Sequence, residues 1–192
     1  MLAPGALQFN FTPFPELTTG RLLLRKIVAD DAPAVLEMRR KASQMQYIAR
    51  PVAENIQDAY DLIGRIDTGL ENNQSINWGI TLKGSSELIG IVGFVRSTPE
   101  HHRAEVGYML DTPYHRKGYM TEAVKAVLAY GFGTMKLHLA EAVIDPRNAA
   151  SEGVLLKLGF VKEAHFRENT FFNGEYTDSA HYRLLARDFA GI

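Results

Sequence analysis

Apolar and polar positions divide the chain into short periodic segments separated by turn-forming clusters. Arg21–Lys26 (Arg-Leu-Leu-Leu-Arg-Lys) reads as a first strand, and Asp30-Asp31 followed by Pro33 is an N-cap and first-turn pattern that opens a helix to about Arg40. Behind Asn55, the residues Ile56, Tyr60, Ile63, Asp67 and Leu70 recur at spacings of three and four, which predicts a second helix. Ile76–Leu82, Leu88–Arg96 and Ala104–Leu110 are strand-like runs divided by Lys83-Gly84-Ser85-Ser86 and by Pro99-Glu100-His101-His102, so an antiparallel meander follows. The pattern then changes period. Ala123, Val124, Val127, Leu128 and Gly131 share one stripe of Met120–Thr134, an amphipathic helix of about four turns. Leu139–Ile144 is a strand, Ala149–Leu158 a short helix ended by Gly159, and Val161–Phe172 a further strand. Asn173-Gly174, flanked by Phe171-Phe172 and Tyr176, predicts a tight hairpin, so Glu175–Leu185 returns antiparallel. The order β-α-α-β-β-β-α-β-α-β-β is that of an α+β protein.

Length adds that one domain over 1–192 suffices, with 1–16 as an N-terminal extension, because 192 residues fall within the usual size of roughly 100–200 residues per domain. Lys plus Arg number 21 against 22 Asp plus Glu, so no global basic field attracts nucleic acid or an anionic membrane, and any anion site must be local. The absence of cysteine excludes disulfides, thiolate catalysis and cysteine-ligated metals. Met1 to Pro15 carries no positive charge and is broken by Pro4, Pro13 and Pro15, unlike a secretory signal; with no apolar run near the roughly 18 residues of a membrane span, a cytoplasmic location is expected. The six histidines lack a ligand-type spacing, so no metal is expected.

The segment with chemical content is Asp111-Thr112-Pro113-Tyr114-His115-Arg116-Lys117-Gly118-Tyr119-Met120-Thr121, a strand end, a basic loop with one glycine, and a helix start. Helix N-termini present unpaired N–H groups and the positive end of the dipole, so a loop that admits an anion there makes a phosphate site. Gly118 would permit close approach, with His115, Arg116 and Lys117 adding charge at the rim; a solvated loop whose glycine only makes a turn remains the other reading. The Walker pattern is absent and Gly131-Phe132-Gly133 lacks a third glycine, which disfavours ATP and NAD.

Several pieces in this order resemble the Gcn5-related N-acetyltransferases (GNAT), in particular the RimJ/RimL-type branch that acetylates protein N-termini. They are Glu-Leu-Thr-Thr-Gly-Arg-Leu-Leu-Leu-Arg at 16–25, Ala104-Glu105-Val106-Gly107-Tyr108-Met109-Leu110, Gly118-Tyr119-Met120-Thr121-Glu122-Ala123, Asp145-Pro146-Arg147-Asn148-Ala149-Ala150-Ser151, Leu158-Gly159-Phe160, Asn173-Gly174 and Tyr182-Arg183-Leu184-Leu185. The family's loop has the form Arg/Gln-x-x-Gly-x-Gly/Ala. Here it is His115-x-x-Gly118-x-Met120, which retains only the middle glycine; backbone amides do most of the holding, and any residue except proline supplies one.

The resemblance implies a three-layer α/β arrangement, a mixed, mostly antiparallel seven-stranded sheet whose strands 4 and 5 splay apart, flanked by about four helices. It implies acetyl-CoA as cosubstrate, its diphosphate on the amides of Arg116, Lys117, Gly118, Tyr119, Met120 and Thr121, with His115 at the first position of the cofactor loop. Its pantetheine arm would lie on the main chain of Met109 and Leu110 with Asn148 on the other side, although Asn148 is equally an N-cap for the helix behind it. Glu105 is a candidate base or a salt-bridged strand carboxylate. Ser151, one turn from Asn148, is a candidate acid toward the CoA sulfur or an ordinary first-turn serine, and Tyr182 is a second candidate acid or a core aromatic. Glu163, His165, Arg167 and Glu168 would line the acceptor channel or simply be solvated.

The leading expectation is acetyl transfer to an amine acceptor, a protein or peptide N-terminus foremost, by direct attack. A polyamine or aminoglycoside acetyltransferase is the alternative, and a non-catalytic acyl-CoA-binding module a second. No nucleic-acid or membrane partner is expected, and the resemblance admits a homodimer.

Overall fold

Leu22 and Leu24, Ile76, Trp78 and Ile80, and Val92 and Phe94 recur at every second position and are all but fully buried, which is the period of strands with one face sealed by helices. The computed structural model describes residues 5–190; the remaining positions of the expected 1–192 span lie outside the described residues. Eight strands, β1 (Leu17–Thr18), β2 (Leu22–Arg25), β3 (Ile76–Leu82), β4 (Gly90–Thr98), β5 (Arg103–Leu110), β6 (Leu139–Ile144), β7 (Val161–Phe172) and β8 (Glu175–Leu185), form one sheet in the order β1-β2-β3-β4-β5-β6-β8-β7. All pairs are antiparallel except β5 with β6. Five helices flank it, α1 (Ala32–Arg39), α2 (Ala42–Met45), α3 (Ile56–Glu71), α4 (Tyr119–Gly133) and α5 (Ala149–Lys157).

The sequence pattern predicts seven strands and about four helices, one of each too few. β1 has two residues and exists only by folding back on β2, and α2 has four, too short to show a helical period. The splayed pair therefore becomes β5 and β6. α4 and α5 cover one face of the sheet with a large core that includes Trp78, Phe94, Leu128, Leu155 and Tyr182, while α1 and α3 cover the other through Ile27, Val35, Met38, Ala59, Ile63 and Leu88. Residues 5–16 pack rather than trail: the Trp78 indole N–H donates to the Pro15 carbonyl at 2.6 Å and Phe11 is buried.

Several local rules act as the sequence suggests. Asn55 caps α3 through the Gln57 amide, and Asp58 accepts from the amides of Asn55 and Glu54. Gly159, at φ +89°, ends α5 with the Phe160 and Gly159 amides turned back to Leu155 and Leu156. Asn173 and Gly174 both take positive φ in the hairpin. Asp31 departs from expectation: its carboxylate makes no cap bond to α1 and instead holds Arg25 in two bonds and accepts from the Val28 amide.

One irregularity positions the site. In β4, Val95 is an extra residue between the pairs Phe94↔Val106 and Arg96↔Glu105, and a bulge of this kind bends a strand and sharpens its twist. At that same level β5 leaves β6, whose pairing covers only Arg103↔Leu139, Ala104↔Ala140 and Glu105↔Glu141.

Gly93 lies where β3 comes too close to β4 for a side chain: a Cβ there would run into the Ile76 carbonyl oxygen and lie 2.7 Å from the Asn77 Cα. Gly93→Ala is expected to cost about 1–3 kcal/mol, seen in a thermal melt as a fall of roughly 3–10 °C; an unchanged Tm would show that the strands shift freely.

Candidate active site

Past Glu105 and Glu141 the two strands present main chain to a gap. The Asp111 amide donates to the Ile89 carbonyl at 2.8 Å, so in this ladder Asp111, Met109 and Gly107 address β4, and Leu110, Tyr108 and Val106 address the gap. The Leu139 amide reaches the His102 carbonyl, which fixes the same parity at the other end of β5. The register thus turns the Met109 main chain toward Ile91 and puts Tyr108 beside Leu110 in the wedge, a distinction that requires knowing which neighbour each residue faces. The Leu110 carbonyl is already taken, by the Gln44 amide at 2.8 Å and by the His115 ring at 2.7 Å. Its N–H, and both main-chain groups of Tyr108, have no strand to pair with.

Beyond Leu110 the chain turns through Thr112–Tyr114 and enters α4. Arg116 and Gly118 take positive φ, +60° and +78°, on either side of Lys117, an alternation that turns successive amides toward one point. The amides of residues 116–121 have no hydrogen-bond acceptor among the described residues, and the first helical bond is Glu122 N–H to the Gly118 carbonyl. This start is pinned from across the sheet. The Arg21 guanidinium donates to the Lys117 carbonyl at 2.9 Å and to the Glu122 carboxylate at 2.7 Å, and lies 4.5 Å over the Tyr119 ring. Glu122 also accepts from the Thr19 hydroxyl and the Arg21 amide. Burial alone would push its carboxyl up, but these donors outweigh it and hold Glu122 below the usual carboxylate range. Thr19 and Arg21 lie about a hundred residues from Glu122, so no local pattern pairs them, although Arg21 stands in the segment that carries the family resemblance.

Side chains of β5 alternate between the two faces of the sheet. Glu105 shares a face with Met109, toward α1 and α3; Tyr108 points to the α4 and α5 side. The Glu105 side chain is 19% exposed and 3.1 Å from Arg96. Burial raises its carboxyl above the usual range, Glu141 on the neighbouring strand adds to this, and Arg96, His181 and Arg50 oppose it.

On the other face, Ser151 in the first turn of α5 is 9% exposed, with its hydroxyl 2.8 Å from the Tyr108 hydroxyl. Burial pushes the Tyr108 phenol up to about 12 against the pull of Ser151. Asn148 caps α5, its side-chain oxygen accepting from the Ser151 amide at 3.0 Å. Tyr182 is 1% exposed and gives its hydroxyl to Glu152, and burial together with that carboxylate raises its phenol to about 12. Its ring is core and its hydroxyl is committed to α5.

On β7, Glu163 pairs with Arg183, which also bridges to Glu141, and the His165 ring meets Asp178. The structure brings Glu105, Leu110, Asn148, Ser151 and residues 115–121 to one wedge and its rim. It adds Tyr108, Arg21 and Gln44; the first two stand in segments that carry the family resemblance, but only the register and the tertiary contacts reveal what each of the three touches.

The acetyltransferase (GNAT) domain family matches residues 21–161 of this chain. The chain is 34% identical over 172 residues to YoaA, an uncharacterized N-acetyltransferase of Bacillus subtilis (strain 168), across 90% of this chain and 97% of that protein. It is 25% identical over 185 residues to the ribosomal protein uS5 alanine N-acetyltransferase of Escherichia coli (strain K12), across 92% and 94% of the two chains. Among solved structures, RimL, a ribosomal L7/L12 α-N-protein acetyltransferase in complex with coenzyme A, has the same fold, with a TM-score of 0.81 at 19% identity over 89% of this chain and 98% of its own.

The Asn148 cap has a measurable consequence. Asn148→Ala is expected to lower unfolding stability by about 1 kcal/mol and Asn148→Asp to leave it nearly unchanged, as read by denaturant titration; equal stability of all three would remove the cap from the account of α5.

Proposed function

The chain belongs to the GNAT acetyltransferase family and is an N-acetyltransferase, and from that premise we propose that it moves the acetyl group of acetyl-CoA to the α-amine of a protein or peptide N-terminus. The observation that carries the cosubstrate is the run of acceptor-free amides from residue 116 to 121, gathered by two left-handed residues where α4 begins. Arg116, Lys117, Gly118, Tyr119, Met120 and Thr121 hold the diphosphate, with charge from Arg116 and Lys117 at the rim; His115, expected among them, is committed elsewhere, because its amide donates to the Thr112 carbonyl and its ring meets the Leu110 carbonyl. The arm continues into the wedge along Tyr108 and Leu110, with Asn148 opposite. RimL, of the same fold, is described with coenzyme A bound, which supports this reading.

The chemistry divides between the two faces of the sheet. On the α1 and α3 side the neutral amine attacks the thioester carbon and gives its proton to Glu105, directly or through water. The Leu110 N–H polarises the carbonyl. The C–S bond breaks with its electron pair on sulfur, and on the α4 and α5 side the Ser151 hydroxyl donates to that thiolate. Tyr182, tied to Glu152, supports α5 behind it. The uS5 alanine acetyltransferase, alike along nearly the whole chain, supports a protein N-terminus as acceptor.

A panel of peptides beginning with alanine or serine, set against spermine and kanamycin, tests the acceptor: the peptides are expected to be acetylated, and turnover of polyamine or aminoglycoside alone would overturn that choice. Gly118→Val forces a β-branched side chain into φ +78° at the centre of the amide cluster, and acetyl-CoA affinity by titration calorimetry is expected to fall at least about tenfold. Glu105→Gln is expected to lower kcat by about 10² or more. Because burial raises the Glu105 carboxyl, the wild-type acidic limb of kcat/KM should lie above the ordinary carboxylate range, activity rising as pH increases through it. Glu105→Gln removes that limb; a limb that survives the substitution assigns the base elsewhere.

A further inference from the structure

Tyr108 joins two elements that border the wedge. Its ring projects from β5 to the α4 and α5 side, and its hydroxyl lies 2.8 Å from the Ser151 Oγ and 3.3 Å from the Ser151 carbonyl, so the bridge ties β5, beyond the point where it parts from β6, to the helix that follows β6. The same residue turns its own amide and carbonyl into the wedge. No other side-chain partner of the Ser151 hydroxyl exists among the described residues. We infer that Tyr108 is a positioning residue for acetyl transfer: its hydroxyl donates to Ser151, which frees the serine proton to point at the thioester sulfur. The inference rests on the acetyl-CoA reading above.

Two hydroxyls share two protons, and the bridge has two arrangements. In one, Ser151 donates to Tyr108, and Tyr108 donates to the Ser151 carbonyl at the longer 3.3 Å. In the other, Tyr108 donates to the Ser151 Oγ at 2.8 Å and the serine proton is left for the wedge. A developing thiolate selects the second, because a chain from phenol to serine to sulfur polarises each bond in turn. Burial keeps the phenol protonated at neutral pH, so it remains a donor throughout. No proton leaves Tyr108. The sulfur departs with the C–S electron pair, stabilised by the serine hydrogen bond, and the amine proton goes to Glu105.

Tyr108→Phe keeps the ring in place and removes the hydroxyl. Single-turnover acetylation of an alanine-starting peptide is expected to slow about tenfold with the KM for acetyl-CoA unchanged within about twofold. Ser151→Ala is expected to give a like loss, and the double variant no more than the single ones. The distinguishing measurement uses the selenoester analogue of acetyl-CoA, whose selenol is a stronger acid than the thiol and whose departure needs less help. With it, wild type and Tyr108→Phe should turn over at similar rates. An equal loss on thioester and selenoester would make the hydroxyl a structural tie only and overturn the inference, as would wild-type rates on both. A wild-type chain that binds no acetyl-CoA and acetylates no amine would overturn the underlying reading and this inference with it.

Discussion

Where β5 parts from β6, the ladder of main-chain hydrogen bonds that would hold both strands stops at Glu105 and Glu141. Backbone N–H and C=O groups left unpaired in a protein interior cost on the order of 1–3 kcal/mol each, so a sheet does not open in its middle without something to occupy the opening. The bulge at Val95 turns β4 and β5 away from β6 at that level, and the Leu110 carbonyl finds Gln44 and His115 instead of a strand. The main-chain groups that remain have no strand partner, and an extended, peptide-like chain would complete the ladder as a missing strand does. The pantetheine arm of our proposal has that form, with its own amides at strand-like spacing.

Once the opening exists, strand alternation separates its chemistry without further design. Glu105 and Tyr108 are three residues apart on one strand and must project to opposite faces. In the proposed reaction, a carboxyl that accepts a proton from the incoming amine and a hydroxyl pair that supports the leaving sulfur therefore act on the two sides of one acyl group, with no contact that would let them quench each other. Their environments differ in the same sense. Burial raises both groups; at Glu105 the Arg96 guanidinium opposes the rise, whereas the Tyr108 phenol is carried up to about 12 and in the proposed reaction acts only through its hydrogen bond.

The elements governed by local rules were legible in the sequence: the Asn55 cap, the Gly159 helix end, the Asn173-Gly174 turn, the long amphipathic α4 and the loop before it. Each depends on residues within a turn or two of one another. The elements that escaped depend on distant partners. β1 and α2 are too short for any period, and Asp31, with the composition of a cap, is captured by Arg25. The direction of the Met109 main chain follows from strand register, which alternation alone leaves undetermined, and the Tyr108 bridge to Ser151 joins residues 43 apart. The family resemblance named the wedge and its rim, but the groups that hold the rim rigid emerged only from the folded contacts.

Glu122 shows why that rigidity matters for an anion. An acidic residue in the first turn of a helix normally complements the positive end of the dipole, and there it would also repel a diphosphate approaching the same amides. Arg21 resolves the conflict by taking the Glu122 carboxylate on its guanidinium and main-chain amide, with Thr19 as a third donor, so the acid is neutralised by donors from the turn before β2. Its remaining donor reaches the Lys117 carbonyl, which steadies the peptide between the two left-handed residues. Arg116 and Lys117 form no ion pair among the described residues, and the Lys117 ammonium lies 5.5 Å over the Tyr114 ring within the loop, so both charges stay there. A chain with a formal net charge of −1 can thus present a locally positive helix start. The device depends on the turn joining β1 to β2, so the shortest strand of the sheet, two residues long, anchors the groups that set the field at the site.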